Sequence, residues 1–98
     1  MLIRIIKSYR DIVIICDSDL IGKKFEEGEF QLDIKESFYN GEKTSEKEAI
    51  EILIDMKKED ATFNIVGKKS VAATLKAGVI EKEEIKTIQG VPFALILL

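Results

Sequence analysis

Ile12-Val13-Ile14-Ile15-Cys16 runs straight into Asp17-Ser18-Asp19-Leu20-Ile21-Gly22-Lys23-Lys24, and this junction decides the fold. Read as a strand from Ile12 to Asp17, it places Ile12, Ile14 and Cys16 on one face and Val13 and Ile15 on the other. Water suits neither face, so the strand belongs in the middle of a sheet covered on both sides. The polar turn that follows carries two carboxylates, a glycine and two lysines. A small domain places a binding site at such a strand mouth, and any domain places an ordinary loop there.

Outward from this strand, Leu2 to Tyr9 reads as a preceding strand. Arg10-Asp11 is the tight break of a hairpin between the two. Phe30, Leu32 and Ile34 alternate with Gln31, Asp33 and Lys35, the pattern of a strand with one wet face. Phe38-Tyr39-Asn40-Gly41 reads as a turn, since Asn-Gly accepts positive backbone angles. Ser45 and Glu48 have capping-box spacing, and a helix with a wide apolar face of Ala49, Ile50, Ile52, Leu53, Ile54 and Met56 follows. Glu46 and Glu48 in its first turn and Lys57 and Lys58 in its last suit the helix dipole.

Thr62 to Val66 reads as a short strand. Lys68 or Lys69 opens a second helix, which Gly78 closes as a left-handed cap. Ile85 to Gln89 reads as a strand, Gly90-Val91-Pro92 as a break, and Phe93 to Leu98 as a final strand. The order is β-β-β-α-β-α-β-β. Strands grouped before and after two helices predict a single α+β domain over residues 1–98, a two-layer sandwich with a mixed, mostly antiparallel sheet. The last strand has no polar residue. Two helices shared between two sheet faces leave one face short of cover, so this strand is expected either as a covered inner strand or in a homodimer contact.

Composition sets limits. The 98 residues are 46% apolar and 34% charged with a net charge of -3, which suits a globular chain and disfavours a surface that grips nucleic acid all over. One local basic patch remains compatible. Lysine-, isoleucine- and glutamate-rich composition resembles that of thermophile proteins, although A/T-rich genomes give the same bias. One cysteine makes no intramolecular disulfide, so a reducing, cytoplasmic setting is expected. The charged start is no signal peptide, and the apolar end is too short to span a bilayer, so no membrane partner is expected. The chain has no histidine. That removes Ser-His and Cys-His nucleophiles, an imidazole base and histidine metal ligands.

Asp17 and Asp19 are two residues apart and could offer carboxylate oxygens to a hard cation such as magnesium. The motif of an aspartyl-phosphate phosphatase would need a threonine where Leu20-Ile21 stands. The structural alternative has both carboxylates accepting backbone N–H bonds from residues 18 to 23, or Asp19 capping a short helix. Gly67-Lys68-Lys69-Ser70 follows a strand and opens a helix, as the end of a phosphate-binding loop does. The full motif needs a second glycine where Thr62 stands, so a nucleotide P-loop is rejected. General anion or RNA binding by Gly67, Lys68, Lys69 and Ser70 remains, joined by Lys23 and Lys24 if the fold brings them close. Nearby glutamates argue instead for a mixed solvated face. Cys16 reads as a small core filler. The aromatics are too scattered for a base-stacking platform.

Four segments taken together, Cys16-Asp17-x-Asp19-Leu20-x-Gly22-Lys23, Phe38-Tyr39-x-Gly41, Asn64-Ile65-Val66-Gly67 and Gly90-Val91-Pro92, resemble the archaeal proteins grouped as domain of unknown function 424. The resemblance implies a small α+β domain of an archaeal cytoplasm, with no established activity; no cofactor is expected. The family pattern has histidine after the final proline, where this chain has Phe93. The leading expectation is a non-enzymatic binding module associated with RNA or a ribonucleoprotein. A protein-interaction or homodimerisation domain is the alternative, and a carboxylate- and metal-dependent hydrolase is third.

Overall fold

The computed structural model describes residues 1–97. Along the chain run β1 (Leu2–Ile6), β2 (Ile12–Cys16), a 3-10 turn (Ser18–Leu20), β3 (Lys24–Glu27), β4 (Phe30–Asp33) and α1 (Glu36–Tyr39). Then come β5 (Glu42–Lys43), α2 (Glu46–Lys58), β6 (Thr62–Val66), α3 (Lys68–Lys76), a 3-10 turn (Lys82–Glu84), β7 (Lys86–Ile88) and β8 (Val91–Ile96). Six strands form one sheet in the order β5-β1-β2-β6-β8-β7, and β3 and β4 pair separately. β2 and β6 are parallel, with Cys16 opposite Val66. The other pairs are antiparallel. The fold is α+β with a mixed, mostly antiparallel sheet.

The doubly apolar strand is where its sequence demands. β2 lies between β1 and β6, and Val13 to Cys16 are sealed from water. Val13 and Ile15 pack with Phe63, Ile65 and Ala94 under Ala49, Leu53 and Met56 of α2 and Val71 and Ala73 of α3. Ile14, Cys16 and Val66 face the other way, onto Leu32 and Ile34, Tyr39 and Ile88, with Phe25 and Phe38 alongside. The second face of the sheet is therefore covered, by the β3–β4 hairpin and the short α1 rather than by a third long helix. Arg4 Nη1 donates to the Ser37 and Phe38 carbonyls (2.8 and 3.0 Å) at the end of α1 and ties that cover to β1.

Local signals fixed both long helices. Ser45 Oγ accepts from Glu48 N at 3.2 Å while the Glu48 carboxylate accepts from Ser45 N at 3.4 Å, completing the capping box. Gly78 ends α3 at φ +74, and Val79 N donates to Thr74 O while Gly78 N donates to Leu75 O. That is a Schellman motif.

Several expectations are corrected. β1 stops at Ile6 instead of Tyr9, because Asp11 draws Lys7 Nζ and Ser8 N into a turn. Phe38-Tyr39 ends a helix, and Asn40 is extended at φ -70, so Asn40-Gly41 is no positive-angle turn. Gly41 is required for another reason: a β-carbon there would run into the Ile3 carbonyl. Gly90-Val91-Pro92 is not a break. Gln89 and Gly90 take φ +50 and +78 in a two-residue turn, and Val91 already pairs with Ile88. β8 accommodates Pro92 because β6 has ended beside it. The final strand runs to Ile96; Leu98, read as its last residue, lies outside the described residues.

Candidate functional site

β2 and β6 end side by side. Since Cys16 pairs with Val66, the next residues out, Asp17 and Gly67, are neighbours on adjacent strands. Asp17 N donates to Val66 O at 3.0 Å and Gly67 N to Pro92 O at 2.8 Å, so the ends of β2, β6 and β8 are laced together. A cleft of about 460 Å³ opens above them. Asp17, Asp19 and Leu20 line it from the first junction, Gly67, Lys68 and Lys69 from the second, and Gln89 to Pro92 from the β7–β8 turn. It lies at the carboxyl ends of the parallel pair, where open sheets with helices bind ligands.

The electrostatic centre of this region is Asp17, which is 6% exposed. One carboxylate oxygen accepts from Ser70 N (2.8 Å) and Ser70 Oγ (2.7 Å), the other from Lys69 N (3.1 Å). These are amides of the first turn of α3, so Asp17 acts as the N-terminal anion of a helix more than fifty residues away. The carboxylate does not bond residues 18 to 23, as its own turn had suggested. Gly67, at φ +109, makes the approach feasible: a β-carbon there would lie 2.6 Å from either Asp17 oxygen. Only glycine fits both the angle and the space.

A sequence signal for this contact existed. Gly67 gives α3 no side-chain cap, and Lys68 and Lys69 stand in its first turn, where the dipole disfavours cations. Such a helix lacks its own anion. In sequence these residues suit either an external anion or a solvated helix start, and in the fold the amides of Lys69 and Ser70 donate to Asp17.

Asp19 is exposed, inside the 3-10 turn and not at its cap. Magnesium keeps several waters and is held through one or two carboxylates. Asp17 has both of its oxygens committed to α3, and among the described residues no group of three or more His, Cys, Asp or Glu is placed to hold a metal. That leaves Asp19 as the carboxylate of the pair with its oxygens uncommitted. Ser70 is fully buried beneath the cleft and serves Asp17. Lys68 and Lys69 are exposed and line the cleft. Lys23 and Lys24 do not line it, and Lys24 instead pairs with Glu26 at 3.4 Å. Burial, then the nearby Asp17 charge, pushes the Cys16 thiol up to about 12, so it is no nucleophile at neutral pH.

Three of the four segments that carry the family resemblance thus meet at one cleft, and Asn64, in the same segment as Gly67, accepts from the Tyr39 hydroxyl of the fourth at 3.4 Å. The DUF424 family model, described as a protein of unknown function, matches residues 6–98. The chain belongs to this family. Among solved structures, the crystal structure of an uncharacterized conserved protein from Methanopyrus kandleri is similar, with 24% identity and a TM-score of 0.87 over 97% of this chain and 88% of that one. That likeness concerns the fold. A search of curated proteins gave no match. Among the described residues no helix is long and apolar enough to cross a membrane.

Proposed function

We propose that this protein is a small non-enzymatic binding module whose ligand surface is the cleft above β2, β6 and β8, and that its ligand is RNA, free or within a ribonucleoprotein. One observation carries the reading. Segments far apart in sequence converge on a cleft that carries Lys68 and Lys69, both exposed and, among the described residues, in no ion pair. Leu20, Val91 and Pro92 supply apolar wall for a base, and the ammonium groups supply positive charge for phosphates. The same groups argue against catalysis: Asp17 is committed to α3, Cys16 is buried and protonated, and no histidine exists. Fluorescence anisotropy with labelled oligouridine tests the proposal. Binding is expected to weaken with salt, log K falling by about 0.7 per phosphate contact for each decade. Lys68→Glu/Lys69→Glu is expected to abolish it. Salt-independent binding, or binding indifferent to that double change, refutes it.

A second reading rests on a different observation. β7 pairs with β8 only as far as Phe93. Beyond it the outer edge of β8 is open, with Leu95 57% and Leu97 70% exposed. An open apolar edge without a guarding charge invites another strand, which favours homodimerisation through the C-terminal strand. Sedimentation decides: a dimer that Leu95→Lys/Leu97→Lys converts to monomer supports this reading, and a wild-type monomer at all concentrations removes it.

A further inference from the structure

Resting on the RNA reading above, we infer that Asp17 makes the cleft selective for the internal diester phosphates of a strand and excludes terminal phosphates. A terminal phosphate, like free phosphate, carries nearly two negative charges and several acceptor oxygens. It is held best by backbone N–H groups clustered at a helix N-terminus. In this chain the amides of Lys69 and Ser70 and the Ser70 hydroxyl already donate to Asp17, at 2.7 to 3.1 Å. A phosphate that reached them would have to unseat a buried carboxylate lying against Gly67. Short of that, it would face the carboxylate's charge, and the repulsion grows with the charge of the ligand.

A diester phosphate carries a single charge and needs no amide cradle. Lys68 and Lys69 can meet it as point charges, while Leu20, Val91 and Pro92 take the face of a base. The residue that reads from sequence as a metal ligand is thus a specificity determinant. It occupies from within the place a terminal phosphate would need.

Competition on the full chain tests this. Labelled oligouridine lacking terminal phosphates is bound first. Unlabelled oligouridine or inorganic pyrophosphate is then added at constant ionic strength. The oligomer is expected to displace the label, pyrophosphate is expected to leave it bound, and a 5′-phosphate on the oligomer is expected to leave its affinity unchanged. In Asp17→Gly the amides are released. Pyrophosphate should then compete about two- to thirtyfold better, the range a helix terminus gives an anion. Stoichiometric displacement by pyrophosphate from the unaltered protein overturns the inference while leaving RNA binding intact, and this arm decides even if the variant does not fold. Failure of the oligomer to bind at all overturns the RNA reading and the inference together.

Discussion

The carboxylate of Asp17 lies over Gly67 in the space that a side chain on residue 67 would need, with both oxygens 2.6 Å from where its β-carbon would stand. From there it accepts three hydrogen bonds at the head of α3. Strand end, helix start and cleft floor thus depend on one acid and one glycine.

Gly67→Ala is expected to destabilise the fold by more than the about 1–3 kcal/mol that a strained backbone angle costs alone, since it also displaces Asp17. Gly22→Ala supplies the comparison, because Gly22 has φ +83 but nothing within 4 Å of a β-carbon. Urea denaturation of both variants should place Gly67→Ala well below Gly22→Ala. Equal losses would show that Asp17 does not press on residue 67.

Asp17→Ala leaves the Lys69 and Ser70 amides without their acceptor at a buried site. A loss of about 2–4 kcal/mol is expected, a lost cap compounded by unsatisfied donors. Asp19→Ala, which by analogy with a cap would cost as much as a lost Ser or Asp cap, should change stability by less than about 0.5 kcal/mol, because Asp19 is exposed. Chemical denaturation of the pair measures both. An Asp19→Ala loss as large as that of Asp17→Ala would contradict the geometry.

Stability should fall in alkali. Burial lifts the Cys16 thiol from its ordinary 9.0 to about 12 and raises the Tyr39 phenol in the same direction. Both groups hold their protons more tightly folded than unfolded. Their contribution is therefore complete below pH 9 and is lost as pH rises from 9 towards 12. Melting temperatures followed across that window should drop less steeply in Cys16→Ala than in the unaltered protein. Identical slopes would place the thiol in contact with water.

Ser45→Ala removes one half of the capping box that begins α2. The expected cost is about 0.5–2 kcal/mol. Thermal melts should show it together with faster amide exchange at Lys47 and Glu48, and unchanged exchange there would mean that the helix starts without its cap.

Where a signal acts within a few residues, the sequence was legible. Ser45 and Glu48, Gly78, the Thr62–Val66 strand and the doubly apolar Ile12–Cys16 strand all stand where their local chemistry puts them. β3 and α1 escaped notice because Lys24–Glu27 and Glu36–Tyr39 carry charges and gain structure by covering the sheet. Phe30, read as buried on the strength of alternation, is 73% exposed; it is the first residue of β4, at the tip of the hairpin opposite Glu27.

By itself, then, the sequence determined the α+β class, the buried centre at β2 and the absence of imidazole chemistry, since burial pattern, capping and composition are properties of neighbours along the chain. Only the tertiary structure decided what fills the bare N-terminus of α3. Gly67-Lys68-Lys69-Ser70 left the helix start open, since solvent, an external phosphate and an internal carboxylate suit it equally well in one dimension. The parallel register of β2 on β6, with Cys16 opposite Val66, brings Asp17 within reach. That register comes from non-local pairing, which no short stretch of residues encodes.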